Sequence, residues 1–306
     1  QRLEFLKIAE DAVEFSKFTL QAFSDIVLKN KVYLDLIVGD IYKHETYYMG
    51  LVDENNKVDL YDGKIRVVDP EGKEFARFDG KDYLEHIVER VEPWSYMKFP
   101  YLKNVGWKGF VDGKDSGVFR VAPLARLNAS DGMSTPLAQA EYEKMYSTLG
   151  GKPAHYTLAF HWARLVEVMY SAEHMVDLLK DKSITSTDIR RLPEETPEEG
   201  IGVVEAPRGT LIHHYKTDKK GMVTGVNLIV ATVNNSAAIS MSIARAAQKL
   251  IRNGKVDDGI LNMVEMAFRP YDPCLACATH SLPGKTPLKV EIKDSQGNKI
   301  KTVVRD

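Results

Sequence analysis

The chain has 306 residues, with 41 Lys plus Arg against 43 Asp plus Glu, 44% hydrophobic residues and 9% aromatic ones. This is an ordinary soluble composition with room for one large core or two, and the even charge excludes a basic nucleic-acid-binding surface. No run reaches the roughly 18 apolar residues of a membrane span, no secretory leader pattern opens the chain, and two cysteines make no disulfide framework, so metal or redox chemistry in a reducing cytosol is expected.

Leu3, Leu6, Ala9, Val13, Phe18, Phe23 and Val27 recur at helical spacing, so residues 1–30 read as a helix already under way at residue 1, without a cap in front. A chain cut from something longer is the expectation. Residues 31–40 are apolar and ambiguous. A β region inserted over about 45–79 follows, with short runs at 47–52, 58–61, 64–68 and 75–78 between turns such as Asp62-Gly63 and Asp69-Pro70-Glu71-Gly72. Leu84, Ile87, Val88 and Val91 return to helical spacing. Residues 92–133 read as irregular, their aromatic residues as loop packing.

Thr135-Pro136 predicts a helix start, with Thr135 as cap, and Gly150-Gly151 its stop. A longer helix over 154–180 carries His155, His161, His174, Glu167 and Glu173, read as packed or solvated residues rather than ligands. Residues 183–199 read as polar surface. Residues 200–206, 210–215 and 223–233 predict a buried hairpin with a break at Pro207-Arg208-Gly209 that aims Arg208 somewhere specific. Residues 234–252 form a helix packed through Ala237, Ala238, Ala244 and Ala247 and closed by Gly254, and 260–268 another, ending before Pro270. After a linker at Pro283-Gly284, residues 288–293 and 299–304 predict a separate charged hairpin. The fold class expected is α+β, predominantly helical, with small antiparallel β regions.

Chemistry concentrates in Asp272-Pro273-Cys274-Leu275-Ala276-Cys277-Ala278-Thr279-His280, which holds both cysteines. Thiolates three apart can face one soft metal. Haem attachment needs His directly after the second Cys; a redox pair opens a helix after a strand; a structural zinc needs four ligands where this stretch offers at most three. Those alternatives fit less well but stay open from the residues alone.

The stretch resembles the C-terminal metal motif of the large subunit of nickel–iron hydrogenases. Residues 95–102, Val121-Ala122-Pro123-Leu124-Ala125-Arg126-Leu127-Asn128, His161-Trp162-Ala163-Arg164-Leu165-Val166-Glu167 and Glu205-Ala206-Pro207-Arg208-Gly209 resemble family segments in the same order, so the resemblance covers most of residues 1–280. It is nearest the cytoplasmic, F420-non-reducing, methyl-viologen-reducing type, which passes electrons toward heterodisulfide reductase. The resemblance implies that Cys274 and Cys277 bind nickel and iron, the iron carrying carbon monoxide and cyanide in a pocket lined by Pro207 and Thr232. It implies that Arg208 and Asp272 form the charged pair over the open metal position, where hydrogen is split heterolytically. His280 matches the ligand of a separate magnesium or second iron. The family's other CxxC pair has no counterpart here, so the 306 residues alone are expected to be inactive. The tail from Ser281 resembles an extension that a maturation protease cuts after His280. The cysteines leave none for an iron–sulfur relay, which implies an iron–sulfur small subunit and possibly a further electron-transfer subunit. A non-catalytic scaffold homologue and a small zinc module are the rival expectations.

Overall fold

The computed structural model describes residues 1–192, 194–275, 288–294 and 296–305. Helix α1 (Arg2–Phe23) runs into a π-helical turn, Ser24–Leu28. The ambiguous stretch after it forms α2 (Lys31–Ile37), started by Asn30, whose side chain accepts from the Val32 N–H at 3.0 Å.

Three strands form the expected antiparallel meander, in the order β3 (Glu74–Phe78), β2 (Lys64–Val68) and β1 (Tyr47–Val52). Residues 58–61 are not a strand, because the Asp59 carboxylate accepts from the N–H groups of Tyr61 and Asp62 and curls the chain. The helix expected through 91 is a single turn, α3 (Tyr83–His86). The chain then becomes β4 (Ile87–Val91), paired with β5 (Lys98–Leu102). Branched Ile87, Val88 and Val91 suit a pleated surface, and the Ile87–Leu102 and Val88–Tyr101 pairs decide the matter. The region read as irregular thus holds β5. It also holds β6 (Phe119–Arg120), which joins β1 in parallel, and the wholly buried α4 (Pro123–Ala129). Trp94, Phe99, Trp107 and Phe110 pack ring on ring, with centroids 5.2 to 6.0 Å apart.

Helix α5 (Pro136–Leu149) starts and stops where expected, Gly150 taking the left-handed conformation. Thr135 takes the N-cap position as expected, but its side chain does not cap the helix. Glu173, on the central helix α6 (Phe160–Lys180), accepts from Thr135 Oγ1 at 2.6 Å, Leu137 N–H at 3.0 Å and Ala138 N–H at 2.9 Å. Helix α6 begins later than expected, after a 3-10 turn at Thr157–Ala159, so His155 precedes it. Helices α1 and α5 both pack against α6. Phe160, Trp162, Ala163, Val166 and Met169 of α6 lie in the main core with Leu124, Leu127 and Tyr271.

The expected hairpin is a three-stranded antiparallel sheet, β7 (Glu199–Ala206), β8 (Gly209–Thr217) and β9 (Val223–Ile229). Two expectations are corrected here. Pro207-Arg208 does not break a strand; with Ala206 paired to Gly209 it is the two-residue turn between β7 and β8. The sheet is not uniformly buried, since the far ends of β7 and β9 are exposed. The strand read to 233 ends at Ile229, and Thr232 lies on a one-turn helix, α7 (Ala231–Asn234). Helix α8 (Ser236–Leu250) buries Ala237, Ala238 and Ala246; Ala244 is exposed, and Gly254 falls in a turn beyond the helix. Helix α9 (Asp258–Glu265) is followed by a 3-10 turn, Arg269–Tyr271. The tail strands β10 (Leu288–Lys293) and β11 (Lys299–Arg305) pair as the expected hairpin.

Candidate active site

The 3-10 turn after α9 delivers Asp272 in a left-handed conformation, φ 51° and ψ 53°. Aspartate tolerates that region better than most residues, and its surroundings hold it there. Tyr271 is buried, with its ring 4.9 Å from that of Phe160 and its hydroxyl 3.1 Å from Ser242 Oγ. Arg208 Nε donates to the Asp272 carbonyl at 2.6 Å and lies 3.3 Å from its Oδ2. The Cys274 N–H donates to Thr232 Oγ1 at 3.2 Å. Four expected site residues, Arg208, Asp272, Cys274 and Thr232, are therefore brought together from the β7–β8 turn, the segment after α9 and α7. Pro207 lines the same cavity as Asp272. The expected ligands Cys277 and His280, and the expected cut before Ser281, lie outside the described residues.

Beneath Arg208 lies an ion cluster to which the sequence reading gave no role. Arg126 of α4 meets Glu167 of α6 through two bonds of 2.6 and 2.7 Å, Glu205 of β7 at 2.7 Å, and the Ala206 carbonyl at 2.8 Å. Glu205 also accepts from the Leu51 N–H at 3.0 Å and from Thr210 Oγ1 at 2.8 Å. Burial alone would pull the Arg126 guanidinium down, but Glu167 and Glu205 outweigh it and hold it above its ordinary value. Burial pushes the Glu205 carboxyl up, opposed by Arg126, Thr210 and the Leu51 N–H; three donors on its two oxygens favour the carboxylate. Two carboxylates on one buried cation leave a net negative charge under the turn. Such a cluster specifies geometry more than it stabilises. Here it ties α4, α6 and β1 to the two residues before Pro207.

Asn235 closes the other side, accepting from the Val121 N–H at 2.9 Å and donating to the Arg208 carbonyl at 3.4 Å. Asn234 donates to the Thr210 carbonyl at 2.8 Å. Gly209 has φ +124°, and a Cβ there would run into Val121. The turn carrying Arg208 is thus fixed from both flanks and from below.

Beside it opens a cavity of about 490 Å³, lined by Arg126, Arg164, Glu167, Glu205, Pro207 and Asp272 and by apolar residues of α1 and α6. A second cavity, of about 760 Å³, lies between α1, α2 and α6 and shares Arg164. Thiolates are soft donors that suit nickel and iron. Cys274, beside the charged pair and the first cavity, fits such a centre as a thiolate. With two cysteines in the chain, a four-thiolate set is at most half supplied.

Residues 17–280 match the family model for nickel-dependent hydrogenases. An F420-non-reducing hydrogenase iron-sulfur subunit of Archaeoglobus profundus is 51% identical over 304 residues, covering 99% of this chain and 62% of that protein. The NAD-reducing hydrogenase HoxS subunit beta of Cupriavidus necator is 37% identical over 300 residues, covering 97% of this chain and 59% of that protein. Among solved structures, an NAD+-reducing [NiFe]-hydrogenase in the H2-reduced state superposes with a TM-score of 0.82 at 35% identity, over 91% of this chain and 59% of that one. The chain thus spans about three-fifths of the length of these relatives.

Proposed function

The chain belongs to the nickel-dependent hydrogenase family, and from that premise we propose that it provides the C-terminal half of a nickel–iron centre in a hydrogenase large subunit. Cys274 and Cys277 are two of the four thiolates; the other two come from outside these 306 residues. The nickel–iron pair, with its carbon monoxide and cyanide ligands, would supply the binding and polarisation of hydrogen. Pro207 and Thr232 wall the pocket on the iron side, and Thr232 orients Cys274 through its main chain. Arg208 and Asp272 hold opposite charges beside the thiolate and there orient hydrogen and receive its proton. His280 binds a separate magnesium or iron ion.

The observation that carries this reading is the Arg208–Asp272 pair, locked by main-chain and side-chain contacts and placed beside the Thr232-anchored Cys274. The identities among F420-non-reducing relatives, 51% for Archaeoglobus profundus and 44% for Methanococcus voltae, favour that type. An iron–sulfur small subunit then takes the electrons, with heterodisulfide reductase as the onward acceptor and the cytoplasm as the setting. Among the described residues no helix is long and apolar enough to cross a membrane.

Infrared spectroscopy and metal analysis of the full-length protein test the proposal. Carbonyl and cyanide bands, with nickel and iron in equal amounts, are expected, and Cys274→Ser should abolish both; zinc, or no metal, would sink it. Intact mass of the matured protein should end at His280, and active enzyme retaining Ser281 onward would refute the cut.

A further inference from the structure

Arg164 shares a cavity wall with the Glu167 and Asp272 carboxylates. It sits half-buried on α6, on the wall between the two cavities, and makes no ion pair with a described residue. Its hydrogen bond runs from Nη2 to the Pro270 carbonyl at 2.8 Å. Burial pulls the guanidinium below its ordinary value, and the Asp272 carboxylate is the foremost group opposing that pull. A half-buried guanidinium is costly unless it is hydrogen-bonded, so the bond to the Pro270 carbonyl calls for a use.

That use lies two residues further along the chain from Pro270. Asp272 keeps a left-handed backbone, which persists only where neighbours over-determine it. Described contacts fix Tyr271 through Ser242, the Asp272 carbonyl through Arg208 and the Cys274 N–H through Thr232. The Pro270 carbonyl is left to Arg164, which is the contact that comes from the central helix and bears a charge.

We infer that Arg164 is a positioning residue for Asp272. Its bond to the Pro270 carbonyl sets the turn that presents the Asp272 carboxylate, and both residues line one cavity. Asp272 then has the Arg208 guanidinium at 3.3 Å from its carboxylate, and Arg164, on the wall of the cavity it lines, bonded to the carbonyl two residues back along its own turn. The inference rests on the proposed role of Asp272 only in its catalytic part; the structural part stands alone.

Hydrogen exchange on the full-length protein separates the two. Arg164→Met should speed exchange at the N–H groups of Tyr271, Asp272 and Cys274 about tenfold while β7–β9 changes less than about twofold. Arg164→Lys should restore most of the protection, because one ammonium can make the same single bond to a carbonyl. Unchanged exchange in Arg164→Met, equal acceleration throughout the chain, or no restoration by Lys would each overturn the inference. In the assembled enzyme, hydrogen uptake should fall about tenfold or more with Met and largely recover with Lys. Local acceleration with undiminished uptake would support the positioning and count against Arg208 and Asp272 as the reacting pair.

Discussion

Glu205 and Thr210 are joined at 2.8 Å across the Pro207-Arg208 turn, so the two strands that present Arg208 are tied by a side chain as well as by their ladder. Arg126 is the cation that opposes the cost of burying the Glu205 carboxylate there. Replacing Arg126 by Met would leave two carboxylates at a site where the Arg126 and Glu205 side chains are 2% and 0% exposed. A loss of about 3–5 kcal/mol is expected, read as a drop in the urea midpoint. Adding Glu205→Gln should recover part of it; a single-mutant loss below about 1 kcal/mol would mean that the cluster contributes little to holding the turn.

Gly209→Ala should cost about 2 kcal/mol or more, because the new methyl meets Val121 and the backbone is in a region that L-residues avoid. Gly202→Ala is the control. Nothing lies within 4 Å of a Cβ at Gly202, so that change should stay within about 1 kcal/mol. Equal melting temperatures for the two variants would contradict the packing described for the turn.

Helix α5 borrows its N-cap from α6. Glu173→Ala removes the acceptor from two helix N–H groups and the Thr135 hydroxyl at once, for an expected loss of about 2 kcal/mol. Glu173→Gln keeps one acceptor oxygen and should lose less. Exchange of the Leu137 and Ala138 amides reports the effect directly, and unchanged protection in Glu173→Ala would disprove the cap.

His155 makes stability depend on pH. Burial, and then Arg120, push its imidazole down to about 4. Its Nδ1 takes a bond of 2.5 Å from the Tyr48 hydroxyl, which itself accepts from Arg120 at 2.8 Å, so the neutral ring fits. An unfolded histidine titrates near 6.5. The unfolded chain therefore binds a proton that the folded one refuses. The contribution of His155 is complete above about pH 6.5 and is lost as pH falls from there to about 4. It amounts to about 1–3 kcal/mol after allowing for partial exposure. Urea midpoints across that range should fall less steeply in His155→Phe, and parallel slopes would assign the dependence elsewhere.

Local signals in the sequence are enough where they act alone: the turns of the β region, Pro136 opening α5, and the tail hairpin. Residues 81–91 misled because apolar spacing there fits a helix, while branched side chains and the partner strand β5 select an extended chain. Residue types and order pointed to Arg208, Asp272, Cys274 and Thr232, and the fold brings them together. Arg126, Glu167 and Glu205 stood inside the same motifs without a role, since their partners lie 41 and 79 residues away from Arg126. One signal was available: an arginine embedded in Leu124-Ala125-Arg126-Leu127, on a helix buried throughout, has to find a counter-charge.

The tightness of the Pro207-Arg208 turn limits how this region can vary among relatives. Pairing runs unbroken from Ala206–Gly209 outward, and Ile212 and Thr210 are fully buried on β8. One inserted residue would either turn those side chains to the opposite face or lift Arg208 away from Asp272. Length changes should therefore accumulate at the other end of the sheet, around the exposed Asp218–Met222 connection, where the Arg208–Asp272 contact is not at stake.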